Sequence, residues 1–436
     1  LLIERSRTHA SLRILDERLH ADPSRVVLRP FHLGWQGSSA QGSRAAKLVD
    51  DVIGLSEQEA DEEYARVLHD FVGRHWQIEQ LFEQRYAEVE AGLGIDGSAL
   101  SSSRKRLIGA YFCHEYTYAA AALMNPSIVP HPDQTGMDGG AVRFVMSLRA
   151  VGEGHISSVA FREGIAYHDG TFTLWPQSSF ATAMQLDAAS LVDDDSAVLV
   201  HRHAESSLSN SVIFPMTEQQ RGGLEDLRLV RFDHGDGDFE WIGTYTAYSG
   251  SSIRSELLRT RDFRDFVLEP IEGKAGRNKG MALFPEKIDG QYCMVGRQDG
   301  KNLFLIKSDS LDCWDDDGVM LMEPEFPWEF IQIGNCGSPI LTDAGWLLLT
   351  HGVGAMRKYA LGCALLDRHD PSKVIARSRA PLLTAIDADR FGYVPNVIYT
   401  CGALKVGEQL LVPYGISDSA VGFATTSIED ILALME

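Results

Sequence analysis

Phe239-Glu-Trp-Ile-Gly-Thr-Tyr-Thr246 is a short apolar run that follows a turn, and the chain returns to this form three times. Gln291-Tyr-Cys-Met-Val-Gly-Arg297, Gly345-Trp-Leu-Leu-Leu-Thr-His351 and Gln409-Leu-Leu-Val-Pro-Tyr-Gly415 are the later copies. With Trp241, Tyr292, Trp346 and Leu410 as markers, the steps are 51, 54 and 64 residues. Val142-Arg-Phe-Val-Met-Ser-Leu-Arg149 fits the same template after a longer gap. Most copies are followed by a second strand and a polar turn, as in Phe304–Asp309, Gly362–Asp367 and Gly422–Ser427. Repeats of this length made of antiparallel strands read as propeller blades, none of which can bury its faces alone. Roughly 310 residues at about 50 to 65 per blade give five or six blades. A β-sandwich with chance spacing is the competing reading.

A propeller has a functional consequence. The first strand of each blade lines a central channel, so polar residues on or just beyond the apolar runs converge on one pocket. Arg149, Asp226, Arg297, His351 and Asp418 occupy such positions. A structural role there would require a paired partner. Asp226 belongs to the run Gly222-Gly-Leu-Glu-Asp-Leu-Arg228, which leads into Leu229, Val230 and Phe232. Regular strand alternation predicts that Glu225 and Asp226 face opposite ways and that Asp226 shares a face with Arg228.

The texture before residue 125 is different. Ser56-Glu-Gln-Glu59 is a capping box, and Tyr64, Val67, Leu68, Phe71, Val72, Ile78, Leu81, Phe82 and Tyr86 continue it as an apolar stripe. Gly92 and Gly94 close that helix, and a second is predicted from Ser102 to Leu123, stopped by Asn125-Pro126. The division is therefore 1–124 as a helical segment and 125–436 as a β-propeller catalytic domain. Helices of this kind dock on a larger domain or on another copy of the chain, which leaves a homo-oligomer open.

The 436 residues are 44% apolar and 23% charged, ordinary for a globular protein. A net charge of −21 argues against nucleic-acid partners and against anionic membranes. An anionic substrate would need a local basic pocket working against that field. No apolar run approaches the length of a membrane span, and Leu-Leu-Ile-Glu-Arg-Ser-Arg at the start carries charge too early for a signal peptide. Six widely spaced cysteines without Cys-x-x-Cys read as reduced thiols of a cytoplasmic protein. The fourteen histidines include no His-Glu-x-x-His, and no metal site is expected.

The ordered motifs resemble glycoside hydrolase family 130, the inverting mannoside phosphorylases and mannosidases on a five-bladed propeller. Gly223-Leu-Glu-Asp-Leu-Arg228 is similar to the family's Gly-x-Glu-Asp-Pro-Arg, whose Asp is the general acid, and the resemblance places that role on Asp226. Lys279 and Arg297 fall where two phosphate-binding cations are found, and His351 where a histidine touches phosphate, with Tyr359 following as a neutral donor. Asn125, Ser127 and Arg149 match the grip on the mannosyl ring. Pro395–Gly402 and Tyr414-Gly-Ile-Ser-Asp418 match the closing motifs, whose Asp holds the same ring. Within the matched motif Glu225 and Arg228 are expected at the sugar, with Glu225 orienting Arg228.

The sequence also departs from the family. Leu227 replaces Pro, Lys279 stands where Arg is common, and a phosphate-contacting Lys has become Gln332. The resemblance covers 125–436, with no clear counterpart for 165–220.

The resemblance implies inverting phosphorolysis of β-mannosides to α-mannose 1-phosphate, with inorganic phosphate as co-substrate and no other cofactor. Gln332 keeps a second reading, an inverting β-mannosidase using water. A non-catalytic sugar-binding propeller is the third.

Overall fold

The computed structural model describes residues 12–31, 43–137, 139–178, 180–193 and 195–435. They form two compact units. The larger takes in residues 12–22, 119–177 and 184–435, and the smaller residues 23–118 and 178–183.

In the larger unit, antiparallel strands follow one another as meanders. The first contains Ala122–Pro130, Val142–Val151, Ser157–Ala166 and Phe172–Leu174. The second contains Gly223–Gly235, Asp238–Tyr248, Ile253–Thr260 and Asp265–Pro270, extended by Val198–His201 and Gln185–Leu186. The third runs Ala282–Leu283, Tyr292–Gly296, Leu303–Ser308 and Val319–Met322. The fourth is built on Gln332–Asn335, Gly345–Val353, Tyr359–Leu366 and Val374–Arg377. The fifth contains Ile398–Tyr399, Gln409–Ile416 and Ala420–Ser427, and its outer strand is Arg13–His20.

Packing explains the repeated apolar runs. Strand Gly345–Val353 is buried at every position. Both of its faces meet another sheet, so the sequence reads as a continuous apolar run instead of an alternating one. Trp346 and Leu348 pack with Val295 and Leu303 of the third meander. Leu347 and Leu349 pack with Ile398, Leu410 and Val412 of the fifth. Phe232 and Ile242 do the same with Met294 and Ile306, and Val145 and Phe161 with Leu229 and Tyr245. The fifth meander also meets the first, through a Phe172–Phe423 ring contact at 4.4 Å and the bond from Leu123 N–H to Ser419 O at 3.2 Å. Each buried Leu, Ile or Phe contributes roughly 1.5–3 kcal/mol.

The smaller unit holds helices Arg44–Ile53, Glu57–Phe71, Ile78–Leu93 and Ser102–Tyr111, with a hairpin of Val26–Pro30 and Cys113–Thr117. The capping box at Ser56 and Glu59 forms as the sequence predicts. Gly94 ends the third helix in a left-handed conformation (φ 66°). Gly109 lets the last helix approach Phe82 closely, since a Cβ there would lie 1.9 Å from the Phe82 carbonyl oxygen.

Two expectations change here. The stripe from Tyr64 to Tyr86 belongs to two helices, because the chain turns after Phe71 at Gly73-Arg74-His75. The helix expected to run from Ser102 to Leu123 stops at Tyr111, where Cys113–Thr117 pairs with Val26–Pro30 instead. The segment before residue 125 is thus helical only in part, and Arg13–His20 joins the larger unit as a strand.

Candidate active site

Two irregular strand positions bring the carboxylate and its partners together. The pairing of Ala122–Pro130 with its neighbour shifts between Met124 and Ser127, and Asn125 takes φ 49°. The pairing of Gly223–Gly235 shifts between Glu225 and Arg228, and Asp226 takes φ 57°. Such bulges re-aim side chains at functional positions. The second bulge overrides the alternation expected from sequence: Glu225 and Asp226 both reach Arg149. Arg149 donates from Nη2 to Glu225 at 2.6 Å, from Nη1 to Asp226 Oδ1 at 3.3 Å and from Nε to Ser157 Oγ at 2.9 Å.

Asn125 Nδ2 donates to the same Asp226 oxygen at 2.6 Å. Arg228 turns back through Nη1 to the Asp226 carbonyl at 3.0 Å and donates from Nη2 to the Tyr399 hydroxyl at 2.5 Å. Ser127 Oγ accepts the Leu229 N–H at 3.0 Å, which ties the first bulge to the second strand.

The two neighbouring acids are tuned apart. Burial pushes Asp226 up, but Arg149 and Arg228, the Asn125 bond and Lys279 outweigh it and hold the carboxyl below its ordinary value. Burial dominates for Glu225, whose carboxyl is raised despite Arg149.

A cluster of cations lies beside them. Lys279 is close enough for its charge to act on both Glu225 and Asp226. Arg297 passes two glycines that leave it room. A Cβ on Gly280 would lie 3.3 Å from its Nε, and one on Gly334 would lie 3.0 Å from its Cδ and 2.3 Å from the His351 ring. Gly334 pairs with His351 across the strands. His351 is 2% exposed, its Nδ1 has no hydrogen-bond partner, and burial together with Arg297 and Arg228 holds its pKa well below the ordinary value. The imidazole is therefore neutral. It stacks on Tyr359 at 5.8 Å and meets Tyr399 edge-on at 4.8 Å. Among the described residues, neither Lys279 nor Arg297 forms an ion pair. Unpaired cations around a buried polar atom without a partner are the donor set an anion requires.

Asp418 follows Ser417 in a turn where both have left-handed backbone, φ 47° and 48°. Burial first, then the Asp226 charge, pushes its carboxyl up to about 6, against Arg149 and Arg357. The folded chain thus keeps a proton on Asp418 that the unfolded chain loses near pH 4. This contribution to stability is present at low pH and lost as pH rises from about 4 through 6. Comparing unfolding midpoints of the chain and Asp418→Asn between pH 4 and 7 should show the stability difference shifting by on the order of 1–3 kcal/mol. Parallel curves would remove the assignment.

Every candidate site residue lies in the larger unit, and the contacts above bring together Asn125, Ser127, Arg149, Glu225, Asp226, Arg228, Lys279, Arg297, His351, Tyr359 and Asp418. Tyr399, which joins Arg228 to His351, was not singled out. It lies inside the Pro395–Gly402 motif, and a tyrosine in an apolar run looks like core. Gln332 pairs with Val353 at the end of the His351 strand. Four cysteines are buried, two are partly exposed, and all six are free thiols. Among the described residues no cluster of three or more His, Cys, Asp or Glu could hold a metal, and no helix is long and apolar enough to cross a membrane.

The family model described as beta-1,4-mannooligosaccharide phosphorylase, that of glycoside hydrolase family 130, matches residues 179–436. A 1,2-beta-oligomannan phosphorylase of Thermoanaerobacter sp. (strain X514) is 34% identical over 231 residues, 51% of this chain and 75% of that protein. A beta-1,2-mannobiose phosphorylase of Listeria innocua serovar 6a (strain ATCC BAA-680 / CLIP 11262) is 30% identical over 232 residues, 51% of this chain and 63% of that protein. The fold is similar to a solved structure described as "The GH130 family of mannoside phosphorylases contains glycoside hydrolases that target beta-1,2 mannosidic linkages in Candida mannan". That likeness has a TM-score of 0.53 and 20% identity, over 72% of this chain and 87% of the other. The matches define an enzyme of the glycoside phosphorylase class. The chain belongs to glycoside hydrolase family 130.

Proposed function

We propose that the chain cleaves β-mannosides of manno-oligosaccharides by inverting phosphorolysis, releasing α-mannose 1-phosphate. The observation that carries this reading is the set of Lys279, Arg297 and neutral His351 beside Asp226, cations with no ion pair among the described residues next to a carboxylate. Phosphate supplies the nucleophile, so no second carboxylate is needed to activate water. Lys279 and Arg297 neutralise it, and His351 and Tyr359 donate neutral hydrogen bonds. Asn125, Ser127, Arg149 and Asp418 hold the mannosyl ring. The reaction uses no cofactor beyond inorganic phosphate.

Asp226 is held below its ordinary pKa in the free chain, the wrong direction for a proton donor at neutral pH. Phosphate changes that balance. Its two negative charges offset Lys279, one of the cations that keep Asp226 ionised, and raise the carboxyl toward the range where it donates. Substrate binding thereby arms the acid, and Glu225 supports it through the shared Arg149.

The meanders support a five-bladed propeller as the scaffold: five occur in chain order, consecutive ones share cores, and the fifth meets the first. The smaller unit serves as an accessory to this catalytic body or as a contact for another copy of the chain. A cytoplasmic site fits six free thiols.

Incubation with β-mannobioses of each linkage, with and without phosphate, tests the function. Phosphate-dependent formation of α-mannose 1-phosphate is the expected result. Release of mannose at equal rates in both would favour water as the nucleophile, the reading that Gln332 supports. No turnover of any mannoside would leave a sugar-binding propeller.

A further inference from the structure

Asn278 stands outside the machinery described so far, yet it directly precedes Lys279. Its carbonyl accepts the hydroxyl of Ser255, a buried residue of strand Ile253–Thr260 in the second meander. Its N–H donates to the Ala275 carbonyl at 3.1 Å. The side chain reaches the third meander instead. Nδ2 donates to the Gln298 backbone carbonyl at 3.1 Å and to Gln298 Oε1 at 2.7 Å. Gln298 follows Arg297 in a turn closed by the bond from the Gly300 N–H to the Arg297 carbonyl at 3.2 Å. One side-chain amide therefore ties the segment that carries Lys279 to the turn that carries Arg297.

The fit suits asparagine. Its amide carries two hydrogens, and both acceptors are oxygens, so each hydrogen meets one of them. Aspartate would set a carboxylate against the same two oxygens, and alanine would leave them without this donor. The residues that follow run alongside Arg297. A Cβ on Gly280, whose φ is 87°, would lie 3.3 Å from Arg297 Nε and 3.4 Å from Nη2. Within two residues the chain thus passes from the clamp at Gln298 to the Arg297 guanidinium, with Lys279 between. Lys279 is exposed, and an ammonium on a flexible four-carbon stem takes its placement from the backbone that bears it. Like charges also repel, so two cations held side by side need an anchor.

We propose that Asn278 is a positioning residue of the phosphate site: its two bonds to Gln298 set the Lys279 ammonium relative to the Arg297 guanidinium. The inference rests on the phosphorolysis reading, in which both cations bind inorganic phosphate. An anion held by separate donors gains most when those donors already stand at their bound spacing, because little ordering is left to the binding step. Asn278 acts through Lys279. Both of its amide hydrogens are used by Gln298, which leaves it no donor for substrate.

Initial rates with β-mannobiose across a phosphate series test it, for the full chain, Asn278→Ala, Lys279→Ala and the double variant. Lys279→Ala should raise the KM for phosphate about tenfold or more, the scale of a charge-assisted contact. Asn278→Ala should raise it about three- to tenfold, the scale of a neutral hydrogen bond, and leave the KM for mannobiose within about twofold. Added to Lys279→Ala, Asn278→Ala should cost less than about twofold, because no cation is left on the segment to place. Gln298→Ala removes one of the two acceptors and keeps the backbone carbonyl. It should show the same pattern at smaller size, and it takes the place of Asn278→Ala if that variant does not fold. Equal rises in both KM values, an unchanged phosphate KM in Asn278→Ala or Lys279→Ala, or a full multiplicative cost in the double variant overturns the proposal alone. Turnover by the full chain that is absent or independent of phosphate overturns the phosphorolysis reading and the proposal with it.

Discussion

Asp226→Asn should fold normally and lose about 100-fold or more in kcat, the scale on which a positioned general acid acts. The substitution keeps shape. The side-chain oxygen can still accept from Asn125 and Arg149, so the bulge that sets φ 57° at this residue retains its supports. What is lost is the proton. Turnover of mannobiose with saturating phosphate measures the effect, with the thermal midpoint as the folding control. Glu225→Gln is the internal comparison, because Glu225 shares Arg149 and has the raised carboxyl. If Asp226→Asn kept its rate and Glu225→Gln did not, the donor role would pass to Glu225.

Arg297→Ala should raise the KM for phosphate by roughly 10- to 150-fold, from the 1.5–3 kcal/mol of a charge-assisted hydrogen bond. The KM for the mannoside should change little, since Arg297 neighbours His351 and Gly280 and makes no contact with Asp418 or Arg149 among the described residues. Stability should be unaffected or improved. Arg297 forms no ion pair among the described residues and opposes protonation of His351. Initial rates across a phosphate series, at fixed mannobiose, distinguish the two KM values. A rise confined to the sugar KM would move Arg297 out of the phosphate cluster. Added guanidinium should restore part of the lost rate, because the two glycines leave the space it would fill.

The repeated apolar runs were readable because the inner strands are buried on both faces, which writes Trp346-Leu-Leu-Leu into the chain without interruption. The candidate site was readable for a different reason. Arg149, Arg297, His351 and Asp418 lie on or just beyond those runs, where charge has no packing role to explain it, whereas Lys279 was legible only through the family resemblance. Local geometry was not readable. Alternation along Gly223–Gly235 put Glu225 and Asp226 on opposite faces, and only the bulge, fixed by Asn125 and Arg149 from distant strands, reverses that. Long-range pairing was also hidden. Nothing local in Arg13–His20 identifies its partner, and nothing in Cys113–Thr117 announces a strand where helical residues precede it. Tyr399 was not legible because a tyrosine in an apolar run is ordinary.

The pairing of Arg13–His20 with Ala420–Ser427 has a consequence for biosynthesis. His20 lies opposite Ala420, so the contact closes a loop of about 400 residues, among the most entropically demanding in the chain. During translation the early strand leaves the ribosome long before its partner exists, and its edge stays open throughout. The turn with Asp418 precedes that partner strand directly, so the proposed contact to the mannosyl ring and the final sheet are completed together. A nascent chain stalled before Asp418 would hold Asp226, Arg297 and His351 yet lack the carboxyl proposed to hold the sugar, and the proposed activity is expected only from chains synthesised past that point.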